Sequence, residues 1–199
     1  MSAPSNPKTF AELRRYLRAD LYRYEGRSGF GQLCRSLLRE PGYQFTFWMR
    51  LCQYLYGTGW AKLGPYWIAR LMVRRYRFKY GIQIEFTTQI GPGFYLCHFG
   101  GIVVNRRCVI GKNCNLSHEV TLGGRSRGER AGCPVIGDNV YIGPGAKVIG
   151  KIEIGDEAAI GANCVVVNDV PAKGVAVGIP GKVISDKGSQ GLVNDVEWE

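Results

Sequence analysis

The 199-residue chain has only two histidines, His98 and His118. Imidazole ordinarily titrates near neutral pH, so either one is suited to holding a proton in transit. His98 lies in YLCHFGGIVVN, between an apolar run and two glycines. On the residues alone it is either a general base or a polar side chain hydrogen-bonded into a turn. Glu85 is the nearest carboxylate before it, and Cys97 immediately precedes it. Two imidazoles are one short of a three-histidine zinc site, so no metal site is predicted. The seven cysteines are odd in number and lack C-x-x-C spacing, which predicts reduced thiols and a cytoplasmic protein. The opening MSAPSNPKTF has no basic-then-apolar leader pattern.

The element that positions the histidines is a repeat. An aliphatic residue recurs every six positions at Ile84, Ile90 and Leu96, then after a two-residue slip at Val104, Ile110, Leu116 and Leu122. After a longer break it continues through Ile136, Ile142, Val148, Ile154, Ile160 and Val166. The following residue is often Gly, as at 91, 111, 137 and 155, which predicts a bend needing a permissive backbone. Four positions after the aliphatic stand mostly small residues, among them Cys108, Cys114 and Cys164, which read as packing thiols. A period of six suits neither a helix nor simple strand alternation. It predicts short parallel strands wound into a triangular prism, three hexads to a coil. His98 and His118 are each third in their hexad and one coil apart, so the imidazoles should be neighbours at about the strand spacing of ~4.8 Å.

This repeat resembles the hexapeptide acyltransferases, whose fold is a left-handed parallel β-helix. VTLGG (120–124), VIGDNVYIGPGAKVIG (135–150) and VAVGIPGKVI (175–184) are similar to the serine acetyltransferase branch. The resemblance covers roughly 82–184 and implies a mainly β fold, a β-helix over 81–184 with an extended loop at 123–135. On either side the residues themselves read as a small α-helical domain over 1–80, unlike the longer helical domain of that branch, and a tail, 185–199. It implies acetyl-CoA as co-substrate, a homotrimer with sites between subunits, and His98 as the base that deprotonates an acceptor hydroxyl. By the same resemblance Gly123 and Gly124 lie beside the thioester, Pro144 and Ala162 let the pantetheine arm pass, and Lys182 suits a CoA phosphate. His118 has no counterpart in that pattern. It is open between binding acceptor or CoA, holding His98, and a purely structural role.

The departures bear on the acceptor. Where that branch carries an aspartate before the histidine this chain has Cys97, and fifteen residues before the histidine it has Gln83. An arginine–histidine pair that reads the serine carboxylate is replaced by Gly132 and Cys133. Arg125, Arg127 and Arg130 in the same loop are candidates to compensate, and Glu85 or a backbone carbonyl to orient His98. Cys97, Arg125 and Cys133 are therefore the acceptor-binding candidates. With the basic N-terminal region, the altered positions look more like the acetyltransferases of exopolysaccharide or capsule synthesis, which implies a sugar hydroxyl as acceptor. Serine O-acetyltransferase is the alternative, and a non-catalytic β-helix scaffold is the reading from another class.

Charge divides the chain too. Residues 1–80 hold 15 Lys/Arg against 4 Asp/Glu, so +11, and the remainder nearly balances, giving +10 overall. Helices are predicted at 9–24, 43–56 and 65–80, bounded by Pro41-Gly42, Gly57-Thr58-Gly59 and Gly64-Pro65. No apolar run reaches the ~20 residues that span a bilayer. The basic, aromatic stretch 41–80 suits the surface of an anionic membrane, which would make the protein peripheral on the inner face. No nucleic-acid motif accompanies the charge.

Overall fold

The computed structural model describes residues 4–60 and 63–194. Four helices precede the repeat: α1 (Phe10–Glu25), α2 (Phe30–Arg39), α3 (Pro41–Gly57) and α4 (Gly64–Tyr80). A capping box starts α1. The Thr9 hydroxyl accepts from the Glu12 amide at 3.1 Å, and the Glu12 carboxylate accepts from the Thr9 amide at 3.0 Å. Prolines in the first turn open α3 and α4. The sequence reading found three helices and missed α2. That helix is amphipathic, with Phe30, Leu33, Leu37 and Leu38 at helical spacing, but it is only 10 residues long and leaves Phe30 and Leu38 exposed, so its stripe adds little to the core.

From Ile82 the chain winds into a left-handed parallel β-helix of about five coils. One sheet stacks β1 (Ile82–Ile84), β4 (Ile102–Val104), β7 (Thr121–Gly123), β10 (Lys147–Ile149) and β13 (Val165–Val166). A second stacks β2 (Gln89–Ile90), β5 (Val109–Ile110), β8 (Val135–Ile136) and β11 (Glu153–Ile154). The third stacks β3 (Tyr95–Leu96), β6 (Asn115–Leu116), β9 (Tyr141–Ile142), β12 (Ala159–Ile160) and β14 (Val175–Val177), and ends in antiparallel β15 (Lys182–Ser185). Every one of the repeating aliphatics from Ile84 to Val166 is at most 4 % exposed, so the period of six is the prism's core.

The glycines that follow those aliphatics are needed for a reason other than the one predicted. Gly91, Gly111, Gly137 and Gly155 are not among the residues with positive φ. A Cβ on Gly91 would instead meet the Gly111 carbonyl at 2.6 Å, and one on Gly111 would meet the Gly137 carbonyl at 2.4 Å. These corners stack backbone on backbone, which leaves no room for a side chain.

The helices cover the open end of the prism. Asp20 and Arg50 form an ion pair at 2.9 Å with neither side chain exposed. Asp20 also accepts from the amides of Gly93 and Phe94, each at 2.9 Å. Arg50 donates to the carbonyls of Ile90 at 2.7 Å and Gly91 at 2.6 Å. Gln53 donates to the Thr88 carbonyl at 3.2 Å. The Tyr24 hydroxyl accepts from the Leu96 amide at 3.1 Å, two residues before His98.

Removing one member of a buried pair leaves an uncompensated charge. Asp20→Ala is expected to cost about 3–5 kcal/mol, read as a lower urea midpoint, with much of it regained in Asp20→Leu/Arg50→Met. A loss below ~1 kcal/mol would show that the pair does not hold the two regions together.

Candidate functional site

The strand register brings the histidines together. Leu96 pairs with Leu116, Leu116 with Ile142, and Ile142 with Ile160. Two residues beyond each of these stand His98, His118, Pro144 and Ala162, which therefore form one column up the corner between the third and first sheets. The imidazole centroids are 5.6 Å apart with their planes at 74°, edge to face. His98 is exposed and His118 half-buried. The Gly145 amide donates to the His118 carbonyl at 3.0 Å, and Asn163 to that of Pro144 at 2.8 Å, so the column is continuous. Above the imidazoles it offers only a proline ring and a methyl group.

The two-residue slip after Leu96 is absorbed at Gly100 and Gly101, with φ of 104° and 66°. Here the left-handed backbone itself calls for glycine. Gly101 also passes Glu119 so closely that a Cβ would sit 3.1 Å from its Cγ. The slip lets the chain leave His98, clear the end of α4 and re-enter the sheet at β4. Phe99 packs 5.4 Å from the ring of Tyr80, the last residue of α4. Cys97 shares a hydrogen bond with Ser117, one step before the histidine column, and burial pushes its thiol above the usual range.

The other candidates gather elsewhere. A groove of about 810 Å³ runs along the first sheet under the 123–135 loop. Gln83, Glu85, Gly123, Gly124, Arg125, Gly132 and Cys133 line it, together with Asn105, Arg106, Arg107 and Ser126, which the sequence reading missed. The only signal for the missed arginines was NRR directly after the repeat's Val104. The loop closes on itself, Arg125 and Gly132 exchanging backbone hydrogen bonds of 2.8 and 2.9 Å. Of the compensating arginines, Arg130 is held by Asp169 at 3.1 Å, which leaves Arg125 in the groove.

Glu85 does not reach His98 within one chain. Ile82 pairs with Ile102 and Ile84 with Val104, so Glu85 is level with Asn105 at the far end of the sheet. His98 precedes the near end by four residues. Glu85 instead pairs with Arg77 at 2.8 Å, and among the described residues no carboxylate forms an ion pair with either histidine. Lys182 is an exposed residue of the last strand, opposite Val177. Among the described residues no group of three metal-binding side chains occurs.

Comparison with known proteins bears on this arrangement. A model of the bacterial transferase hexapeptide (six repeats) matches residues 133–168. The serine acetyltransferase of Helicobacter pylori is 38 % identical over 149 residues, covering 75 % of this chain and 84 % of that protein. The chain belongs to the serine acetyltransferase family. The serine acetyltransferase of Staphylococcus xylosus is 45 % identical over 129 residues, 64 % of this chain and 59 % of its own length. The chain thus spans about three-fifths of that longer relative. The crystal structure of Neisseria gonorrhoeae serine acetyltransferase in complex with serine superposes with a TM-score of 0.72 at 32 % identity, covering 88 % of this chain and 70 % of that one.

The core cysteines of this chain are kept as thiols by burial. Desolvation pushes the thiols of Cys108 and Cys114 up to about 12 and that of Cys52 to about 11, and raises that of Cys164. Brief alkylation of the native protein at pH 8, read by peptide mass spectrometry, should label exposed Cys34 and leave these four untouched until the chain is unfolded. Labelling of Cys108 or Cys114 in the folded protein would contradict their place in the prism core.

Proposed function

We propose that this protein is an acetyl-CoA-dependent O-acetyltransferase with His98 as general base. The observation that carries the reading is the column: an exposed imidazole at its foot, and above it two coils with side chains small enough for an extended thioester arm to lie along the corner. His98 takes the acceptor's hydroxyl proton as the oxygen attacks the acetyl carbonyl. The tetrahedral species collapses, the C–S bond breaks, and the imidazolium returns its proton to the departing CoA thiolate. No acyl-enzyme forms. Gly123 and Gly124 border the thioester, and Lys182, near the end of the column, suits a CoA phosphate. His118 keeps the His98 ring in its edge-to-face position.

Within one chain the imidazoles and the groove do not share a cavity, as expected if neighbouring subunits of a homotrimer complete each site. The groove offers three guanidinium groups, Arg106, Arg107 and Arg125, and its lining also includes Gln83 and Glu85, the latter paired with Arg77. A zwitterionic amino acid needs a cation for its carboxylate and an anion for its ammonium. The groove has both, which together with the kinship favours L-serine as acceptor. The expectation of a role in polysaccharide synthesis is not supported by the relatives described above. A sugar hydroxyl remains a second reading because Cys97, Gly132 and Cys133 stand where the family's serine-binding groups are expected, and Gln83 where its histidine-pairing aspartate is.

The test is thiol release from acetyl-CoA with L-serine and with a panel of sugars. With L-serine, release at a rate that falls on the order of 10²–10⁴ in His98→Ala is expected, and Arg125→Ala should raise KM for serine more than it lowers kcat. Release only with a saccharide would transfer the function to the second reading. An unchanged rate in His98→Ala would remove the base, and no release with any acceptor would leave a scaffold.

A further inference from the structure

α4 packs its Tyr66, Ala69, Val73 and Tyr80 face inward. Its opposite face is unusual for a helix of a folded domain. Trp67, Leu71, Arg74, Arg75 and Phe78 follow one another at helical spacing along a single outward stripe, with Ile68 beside it. Trp67 is 59 % exposed, Ile68 59 %, Leu71 63 % and Phe78 78 %. Scattered exposed apolar residues are ordinary, but four large ones on one face mark an interaction surface. Arg74 and Arg75 are exposed and make no ion pair among the described residues, and the Arg74 guanidinium lies 5.9 Å over the Phe78 ring. The chain has no acidic residue between Glu40 and Glu85.

From this face we infer that the protein docks α4 on an anionic lipid bilayer. The occupant follows from the chemistry. Large apolar side chains interleaved with arginines suit the headgroup boundary, where rings and alkyl groups enter the acyl region and guanidinium groups stay at the phosphates. A second copy packed face to face would bury Arg74 and Arg75 on a surface whose helix has no acidic residue to pair them, at a desolvation cost. Nucleic acid would satisfy the cations but would leave Ile68 and Leu71 in water. Most of α3 is not part of the surface, because Tyr43, Phe45, Met49, Cys52 and Leu55 are buried, whereas Tyr56 near its end and Trp60 and Leu63 beyond it are exposed. No described helix is long and apolar enough to cross a membrane, so the contact is peripheral. It is independent of the acetyl-transfer reading.

The test is co-sedimentation of the full chain with vesicles of phosphatidylcholine alone and with roughly one-third phosphatidylserine, near physiological salt. The protein should pellet with the anionic vesicles only, and be released at high salt. Arg74→Glu/Arg75→Glu and Trp67→Ser/Leu71→Ser should each weaken binding on the order of tenfold or more, without lowering Tm or changing thiol release from acetyl-CoA. Failure of the wild type to pellet, or equal pelleting of both variants, would overturn the proposal. A change of oligomeric state in either variant by analytical ultracentrifugation would assign the face to a second copy instead. Binding to single-stranded RNA that only the arginine variant loses would assign it to nucleic acid.

Discussion

The ion pair between Asp20 and Arg50 is the contact on which the remaining architecture depends. A β-helix has an open first coil whose backbone groups find no strand beneath them, and such an edge must be covered or it pairs with another chain. Asp20 and Arg50 answer that demand directly, taking two amides and two carbonyls of the first coil. Burying two charges costs several kcal/mol per ion unless every lone pair and donor finds a partner. Here the prism edge supplies those partners, so helices and coil complete each other. Gly42 belongs to the same seam: a Cβ there would sit 2.4 Å from the Tyr24 hydroxyl and 2.6 Å from the Leu96 carbonyl. The strand that carries His98 is thereby held from below by α1 and α3.

Above that seam, position is set by register. Parallel pairing without offset stacks equivalent residues of successive coils, so a choice made once per coil becomes a line on the surface. One such line is the column of His98, His118, Pro144 and Ala162. Another is the stack of corner glycines. The groove breaks this regularity, because the 123–135 loop leaves the prism and folds back over the first sheet. Regular coils thus form a straight corner, and the 123–135 excursion forms the groove.

The C-terminal residues tie the two ends together. Ser189 donates to the Asn139 carbonyl at 2.6 Å, Asn115 donates to the Leu192 carbonyl at 2.9 Å, and Arg23 of α1 donates to the Asn194 carbonyl at 2.5 Å. The segment therefore returns along the outside of the third sheet to the helices. Residues 195–199 lie outside the described residues.

By itself the sequence determined what depends on local repetition. The sixfold recurrence from Ile84 to Val166 specified the prism, its core and the one-coil offset of the two histidines, because a hexad of fixed length leaves its third residue at a fixed corner. It also specified three of the helices, the first through the stripe of Phe10, Leu13, Leu17, Leu21 and Tyr24 and the other two through their proline and glycine boundaries. What only the tertiary structure decided is what depends on distance along a coil or across the seam. Glu85 and His98 are near in sequence yet at opposite ends of a sheet, because strand direction carries them apart. Arg106 and Arg107 reach the groove because a loop from the next coil folds over them. α2 carries an apolar stripe at helical spacing, but only the structure shows that Phe30 and Leu38 of that stripe stay exposed. The corner glycines are legible as glycines, but the reason for them, a carbonyl of the next coil where a side chain would stand, exists only once the coils are stacked.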